Sequence, residues 1–562
     1  MKKYFENLMH LNLLNTKIKF TIICFICLWN ILLFAQESTL STLPIVQTEQ
    51  NVPTSSTNNI RNEDFERILK IYNKLVNARG DFRYPVPKLF LRKEVSRVAS
   101  IDYNKLEIVI EEKAYKTCLQ YGDAAIAFLL GHELTHYYEK HAWRNNFAYA
   151  YSDLQIGQEM EKFHDQTANE TEADYLGGFL AYSAGYGMFE KADSIIIQLY
   201  KEYKLSDQLK GYPSLQDRIE LAKRSTKKIA ALVEVFEMAN LLSAIGKYEE
   251  AAEYYTFILM QFQSREIFNN LGVVALQNAL QYFDSKELKF KYVFELELES
   301  MGSRDANGKK AREALLQQSI RHFDAAISMD INYAPAYLNK AAALALLGDT
   351  IRASFFVEHE AMLKAQQNKF AKTAVDANIL LGILKSNAGD TNRAVALFES
   401  AIQAGSKLAK DNLNILRFGK IDSIVVKRNL SKEFISIQKQ NLNYFSSEPV
   451  FNSEKVIKLN PKYTLYQFYE DSLDYTILFN MNNDSRDINY FMMTKPTCKV
   501  QTNKKIGIGS NLSELEIQYG NPQKMIETAQ GSILIYDKLI FILGKENEVI
   551  KWGTFLTKKS MD

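Results

Sequence analysis

The stretch from Gly131 to His141, GHELTHYYEKH, holds three of the chain's seven histidines. His132 and His136 are four residues apart, so on an α-helix they stand about one turn above each other on the same face. Two imidazoles so placed can grip a single zinc ion. His141 lies nine residues past His132, about 900° of rotation. On one continuous helix it emerges from the opposite face, which makes it a poor ligand. Glu133 follows His132 directly and stays at the edge of the ligand face. A carboxylate there can take a proton from a water that the metal polarises. Positions 124–131 and the two residues between Glu133 and His136 are uncharged, so this helix is expected to be buried.

A hydrolytic zinc site takes three protein ligands and keeps one position open. The third must come from elsewhere in the chain. Residues 169–186, NETEADYLGGFLAYSAGY, begin with acids and continue as a small-residue helix that can pack closely on another. Glu170 and Asp174 are four apart and share a face. One of them can bind the metal while the other accepts a ring N–H from a ligating histidine and fixes its tautomer. Glu172 points elsewhere, toward solvent. His164, just before this helix, is a rival third ligand.

HExxH followed by E-x-x-A-D on a second helix resembles the zinc metalloprotease family of the CAAX prenyl protease, the heat-shock protease HtpX and the periplasmic β-barrel assembly-enhancing protease. The resemblance covers roughly residues 65–225. It implies a zincin-like fold with one Zn2+ per chain, held by His132, His136 and Glu170. It further implies Glu133 as the catalytic base and Asp174 as the acid behind a ligand. The strand in Lys105–Glu112, KLEIVIEE, would bind substrate as an added β-strand. The chain departs from the family at one place. Where members commonly carry His-Pro and then Arg, this sequence has Tyr212-Pro213 and then Arg218. Tyr212 and Arg218 are therefore candidates for an oxyanion or substrate contact.

At 562 residues the chain is long enough for three or four domains. It is 47% hydrophobic and 24% charged with a net charge of +2, which gives no reason to expect nucleic acid as a partner. Lys17 and Lys19 precede a short apolar run, Phe20–Ala35, that reads as a secretory signal peptide over residues 1–35. The alternative is an uncleaved helix that anchors the chain to a membrane through its N-terminus. Cys24 and Cys27 belong to this segment, and the remaining Cys118 and Cys498 read as independent core thiols. Residues 36–61 are polar and aperiodic, a flexible leader.

The metallopeptidase domain is assigned to residues 62–228, opening with an amphipathic helix at Asn62. Strand-like runs follow at Pro87–Lys93 and Arg97–Glu112, the latter folded at a DYNK turn. Over 229–418 a period of roughly 34 residues sets in. One unit carries Ala239, Gly246, Tyr248, Ala251 and Tyr255; another carries Gly382, Gly389, Ala394, Phe398 and Ala401. Ala341, Gly348 and Ala353 repeat the pattern between them. A half unit at Gly272 resumes near Ser319, after a charged insertion at about 284–318. These units resemble tetratricopeptide repeats, in which small residues let paired helices approach and aromatic residues fill the gaps. Residues 419–505 read as a connecting region. Residues 506–562 read as a small α+β module, with a strand, a short helix from Asn511 to Gly520 and a three-stranded meander.

The chain is thus expected to be α+β, mainly α: a zincin-like domain, an α-solenoid of repeats and a small terminal module. The expected function is that of an exported zinc metalloendopeptidase in the periplasm or cell envelope of a bacterium. It would act on unfolded or misassembled envelope proteins, with a client or partner protein in the repeat groove. The alternative is an envelope chaperone or scaffold that works mainly through its repeats, with slight or no peptidase activity.

Overall fold

Helix α1 (Asn62–Arg79) opens the described part of the chain and buries Phe65, Ile68, Ile71, Tyr72, Leu75 and Val76 along one face. The computed structural model describes residues 62–93, 98–150, 153–155, 166–186, 191–208, 214–283, 287–292, 306–368, 370–419, 455–468, 475–485, 487–528 and 531–558. The stretches read as a signal and a leader, with His164 and Tyr212, lie outside these residues. No helix among the described residues is long and apolar enough to cross a membrane.

Three strands follow, β1 (Lys88–Arg92), β2 (Ala99–Asp102) and β3 (Glu107–Glu111). β2 and β3 form the expected antiparallel hairpin, its turn pinned by Asp102 Oδ1, which accepts from the N–H groups of Asn104 and Lys105. β1 then pairs with β3 in parallel, giving the order β1-β3-β2. This corrects one expectation. β3, the KLEIVIEE strand, has both backbone edges paired and cannot accept an added strand. The edge strand beside the histidine helix is β2.

α2 (Glu112–Leu119) leads into α3 (Asp123–Tyr138), whose apolar approach, Ala125 to Leu130, is largely buried. α3 does not run on through His141. It stops at Tyr138, Lys140 turns into the left-handed region at φ +56°, and α4 (His141–Ala150) starts a new helix. The continuous helix assumed for the 900° rotation is absent, and the placement of His141 on a far face falls with it.

α5 (Gln166–Ala181) packs along α3, followed by a π-helical turn, Tyr182–Tyr186, and by α6 (Ala192–Tyr203). The α3–α5 crossing is a backbone contact between two glycines. A methyl group on Gly177 would lie 2.6 Å from the Gly131 carbonyl carbon and from His132 N; one on Gly131 would lie 2.5 Å from Gly177 O. No other residue type leaves room for this approach.

α7 (Leu215–Ala244), capped by Ser214, is one helix of 30 residues. It passes without interruption through the boundary expected at residue 228. Ile229, Leu232 and Val233 share one hydrophobic core with α1, α3 and α5, while Ala239 and Leu242 share it with the first repeat. The repeats then stack as paired helices: α8 (Tyr248–Leu259), α9 (Arg265–Leu280), α10 (Ala306–Met329) and α11 (Ala334–Leu346). α12 (Thr350–Phe355) continues through π-helical Phe356–Ala361 into α13 (Met362–Gln367), before α14 (Ala371–Asn387), α15 (Thr391–Gln403) and α16 (Lys407–Phe418). α10 begins inside the stretch read as an insertion. The small-residue logic holds: Gly272 faces the ring of Phe323 and Gly382 that of Phe398, where methyl groups would come within 2.5 and 2.7 Å. Gly246, Gly348 and Gly389 occupy one equivalent turn position, at φ of +79°, +86° and +85°, which favours glycine.

The C-terminal part is larger than expected. β4 (Lys455–Lys458), β5 (Tyr463–Phe468), β6 (Tyr475–Asn482) and β7 (Ile488–Thr494) come from the region read as a connector. They join β8 (Lys524–Thr528), β9 (Gly531–Ile535), β10 (Leu539–Leu543) and β11 (Val549–Lys558) in one antiparallel sheet, ordered β4-β5-β6-β7-β11-β10-β9-β8. α17 (Leu512–Tyr519) is closed at its start by a capping box between Asn511 and Glu514. The expected strand before it is a turn instead. The sheet packs on α7 and α8. Tyr254 donates to Asn480 Oδ1 at 2.8 Å, and Lys524 Nζ donates to the carbonyls of Ser243 and Ala244 at the end of α7. Cys118 and Cys498 are both buried, and neither is in a disulfide among the described residues. The architecture is α+β, mainly α, with repeat-like helical packing and a C-terminal antiparallel sheet.

Candidate metal centre

The glycine contact sets the register of the site. The two helices are antiparallel here, so proceeding from Gly131 to His136 along α3 runs the same way as proceeding from Gly177 back to Glu170 along α5. Asp174 is therefore brought to His132, and Glu170, one turn earlier, to both histidines. His132 Nδ1 lies 2.7 Å from Asp174 Oδ1. Its Nε2 faces His136 Nε2 at 3.0 Å and Glu170 Oε2 at 3.3 Å, and His136 Nε2 lies 3.6 Å from Glu170 Oε1.

These three residues could hold a cation. Their ligand atoms all lie within 4.8 Å of one another, the one such cluster of His, Cys, Asp or Glu among the described residues. Tetrahedral bonds of about 2.0–2.1 Å separate ligand atoms by about 3.3 Å. The separations of 3.0, 3.3 and 3.6 Å straddle that value. The chemistry of the donor set fits as well. Two ring nitrogens face each other, and only one of them can carry a proton. Burial lowers the pKa of His132, but hydrogen bonds to Asp174 and Glu170 outweigh it and hold the imidazole well above its ordinary value. Burial and the neighbouring His132 push His136 down to about 3. Burial would raise Glu170, yet His132, His136 and Arg218 bring it down to about 2. A positive charge is thus favoured at the meeting point of the three side chains.

Glu133 is buried beside this cluster. Burial, offset in part by His132, raises its carboxyl to about 7. A carboxyl poised near neutrality can both accept and return a proton. Arg218, in the first turns of α7, places Nη2 3.8 Å from Glu170 Oε2 and lies over the Tyr200 ring. It stands behind the carboxylate cluster. Tyr103, just past β2, donates to the carbonyl oxygen of His136 at 2.9 Å and so ties the edge strand to the end of α3.

The structure brings together His132, Glu133, His136, Glu170, Asp174 and Arg218. It also brings in two residues that helix periodicity had set aside. His141 is buried, with Nδ1 2.7 Å from His136 Nδ1 and Nε2 3.1 Å from Glu172 Oε2. Glu172 is not simply solvated: hydrogen bonds from His141 and Arg144 draw its carboxyl down to about 2. No run of residues signals this, because it depends on the helix break at Lys140.

No protein-family model matches the chain. It is similar in part to tetratricopeptide repeat protein 36 of Danio rerio, 32% identical over 126 residues. That likeness covers 22% of this chain and 62% of the fish protein, so the chain spans about three fifths of that relative's length. It agrees with the repeat-like helical packing.

Proposed function

We propose that the chain is a zinc-dependent endopeptidase that cleaves unfolded or misassembled polypeptides, with its repeats engaging the client or a partner protein. The observation that carries this reading is the convergence of His132, His136 and Glu170 beside a buried carboxyl at Glu133. A zinc ion held there would polarise both water and the scissile carbonyl. Glu133 accepts the proton of the attacking water and returns it to the leaving amide nitrogen, a role that its raised pKa suits. Asp174 holds His132 by Nδ1 and keeps Nε2 turned toward the site. The edge of β2, next to α3, offers backbone groups to an extended chain, a mode that needs an unfolded substrate. The first repeat meets the chain's own C-terminal sheet, which leaves the later repeats as the partner surface. An N-terminal signal and the family resemblance support a place in a bacterial envelope.

The test is metal analysis of the purified full chain, with casein digestion in the presence and absence of chelator. One zinc per chain and chelator-sensitive cleavage are expected. Glu133→Gln should keep the zinc and lose turnover by at least ~10²-fold. Stoichiometric zinc with no cleavage of any unfolded protein would favour the second reading, an envelope chaperone or scaffold acting through its repeats.

A further inference from the structure

The two histidines at the centre are supported differently. His132 turns its outer nitrogen to a carboxylate, Asp174 Oδ1. His136 turns its outer nitrogen to another imidazole, His141 Nδ1, at 2.7 Å. Two imidazole nitrogens at that distance form a hydrogen bond only if one of them carries a proton. The pattern of partners allows one arrangement when His136 offers the Nε2 lone pair to a metal. Its proton then lies on Nδ1 and is donated to His141 Nδ1. His141 must accept there, so its own proton lies on Nε2, which faces Glu172 Oε2 at 3.1 Å. Glu172 accepts, and it is held in turn by Arg144 Nη2 at 2.8 Å. Both imidazole protons in this chain then meet an acceptor.

The backbone is shaped to make this contact. Lys140 adopts a left-handed conformation that non-glycine residues rarely take, at a cost of order 1 kcal/mol. Its side chain is engaged at once: Nζ donates to the Tyr84 hydroxyl at 2.6 Å and lies 4.4 Å above that ring. The turn starts α4 with His141, whose ring stands at 84° to that of His136, edge to face. A near-perpendicular partner on Nδ1 restricts rotation of the His136 ring about its own bonds.

We infer that His141 is a positioning residue for the metal centre, fixing the tautomer and ring plane of His136 through a His136–His141–Glu172–Arg144 chain. This rests on the metal reading given above. It adds to that reading a support for the second histidine that is distinct from the carboxylate behind the first.

The experiment uses the full chain and reads metal binding. Zinc affinity is measured by competition with a chromogenic chelator, and the visible absorption of the cobalt(II)-substituted protein reports ligand geometry. His141→Ala should weaken zinc by about 10–100-fold and alter the cobalt bands. His141→Asn, whose amide oxygen can accept near the position of Nδ1, should recover much of both. Glu172→Gln, which changes the charge but not the shape, should cause a smaller loss of affinity. It also keeps the test sharp if His141→Ala misfolds. Wild-type affinity and cobalt bands in His141→Ala overturn the inference and leave the metal reading intact, as does an Asn variant no better than Ala. A wild-type chain that takes up neither metal sinks the metal reading, and this inference with it.

Discussion

Gly177→Ala tests whether the site is built by a glycine-to-glycine crossing. The added methyl group would lie 2.6 Å from Gly131 C and from His132 N, whereas ordinary contact begins at 3.4 Å. Both obstacles are backbone atoms, so no rotamer change relieves them, and the helices must separate by roughly 0.8 Å at this point. Glu170 lies two turns along the same face of α5 and moves with it. Metal–ligand distances tolerate about 0.2 Å, so the third ligand would leave its range and zinc affinity should fall at least ~10-fold. Overpacking of this kind costs about 1–3 kcal/mol, which is about 2–4 °C in melting temperature for each kcal/mol. Gly178→Ala is the control. Its methyl group would come 2.3 Å from Ile229 Cδ1, the far end of a flexible side chain that can swing aside. It should cost less than about 1 kcal/mol and leave zinc unchanged. The assays are chelator competition for zinc and thermal unfolding. Wild-type zinc affinity in Gly177→Ala, or equal damage from the two variants, would refute the argument.

Metal-free protein should show a pH-dependent cost at Glu133. Its carboxyl titrates near 7 in the fold against an ordinary 4.5, so the folded state keeps a proton that the unfolded chain releases in that window. Stability therefore falls as pH rises from about 4.5 to 7, by about 3 kcal/mol. With EDTA present, Glu133→Gln should melt above wild type at pH 8, with the gap closing by pH 5; equal melting at pH 8 would count against the buried charge. Glu170→Ala should lose zinc, while Asp174→Ala should weaken it by about 10–100-fold; metal analysis that finds full zinc in Glu170→Ala removes it from the ligand set. A chain ended after Lys228 cuts α7 and strips Ile229, Leu232 and Val233 from the core, so it should fail to fold stably; a soluble fragment binding one zinc would restore a boundary there. Arg265, buried, pairs with Asp330 and donates to the Asn77 carbonyl at 3.2 Å. Arg265→Met should cost about 3–5 kcal/mol by stranding Asp330, and Arg265→Met with Asp330→Leu should recover much of that in thermal unfolding.

The parts of the site legible in the sequence are those fixed by one helix at a time. His132 and His136 share a face because 3.6 residues make a turn, and the same rule pairs Glu170 with Asp174. The Gly177-Gly178 pair marked a helix able to approach closely, though its partner, Gly131, was legible only as the residue before the motif. The helix break was not legible. Lys140 carries no mark of a left-handed residue, and a helix drawn through it sends His141 to the wrong side. Strand order was hidden for a different reason. Alternation identifies β1, β2 and β3 individually, but β3 is central because β1 pairs with it in parallel, a long-range choice that local periodicity does not record. β4 to β7 were read as a connector, and only the completed sheet shows their purpose.

The boundary at 228 shows how a change of pattern can mislead. The motifs that hold the candidate ligands end before that point and the repeat period begins after it, yet α7 spans it. Its first turns carry Arg218 against Glu170, and Ala239 in its last turns is buried in the first repeat. Helix periodicity is blind to this, since a helix that serves two neighbours has an apolar face for each. Phe262, at the end of the first repeat, packs edge-on against Phe179 of α5, with ring centres 4.7 Å apart. Arg79 of α1 lies over the Phe262 ring and bonds Glu139 at the end of α3. The helices that carry the candidate ligands and the helices that begin the repeats therefore share one core. A substitution such as Phe262→Ala, remote from every ligand, should thus lower the melting of the whole unit as well as that of the repeats.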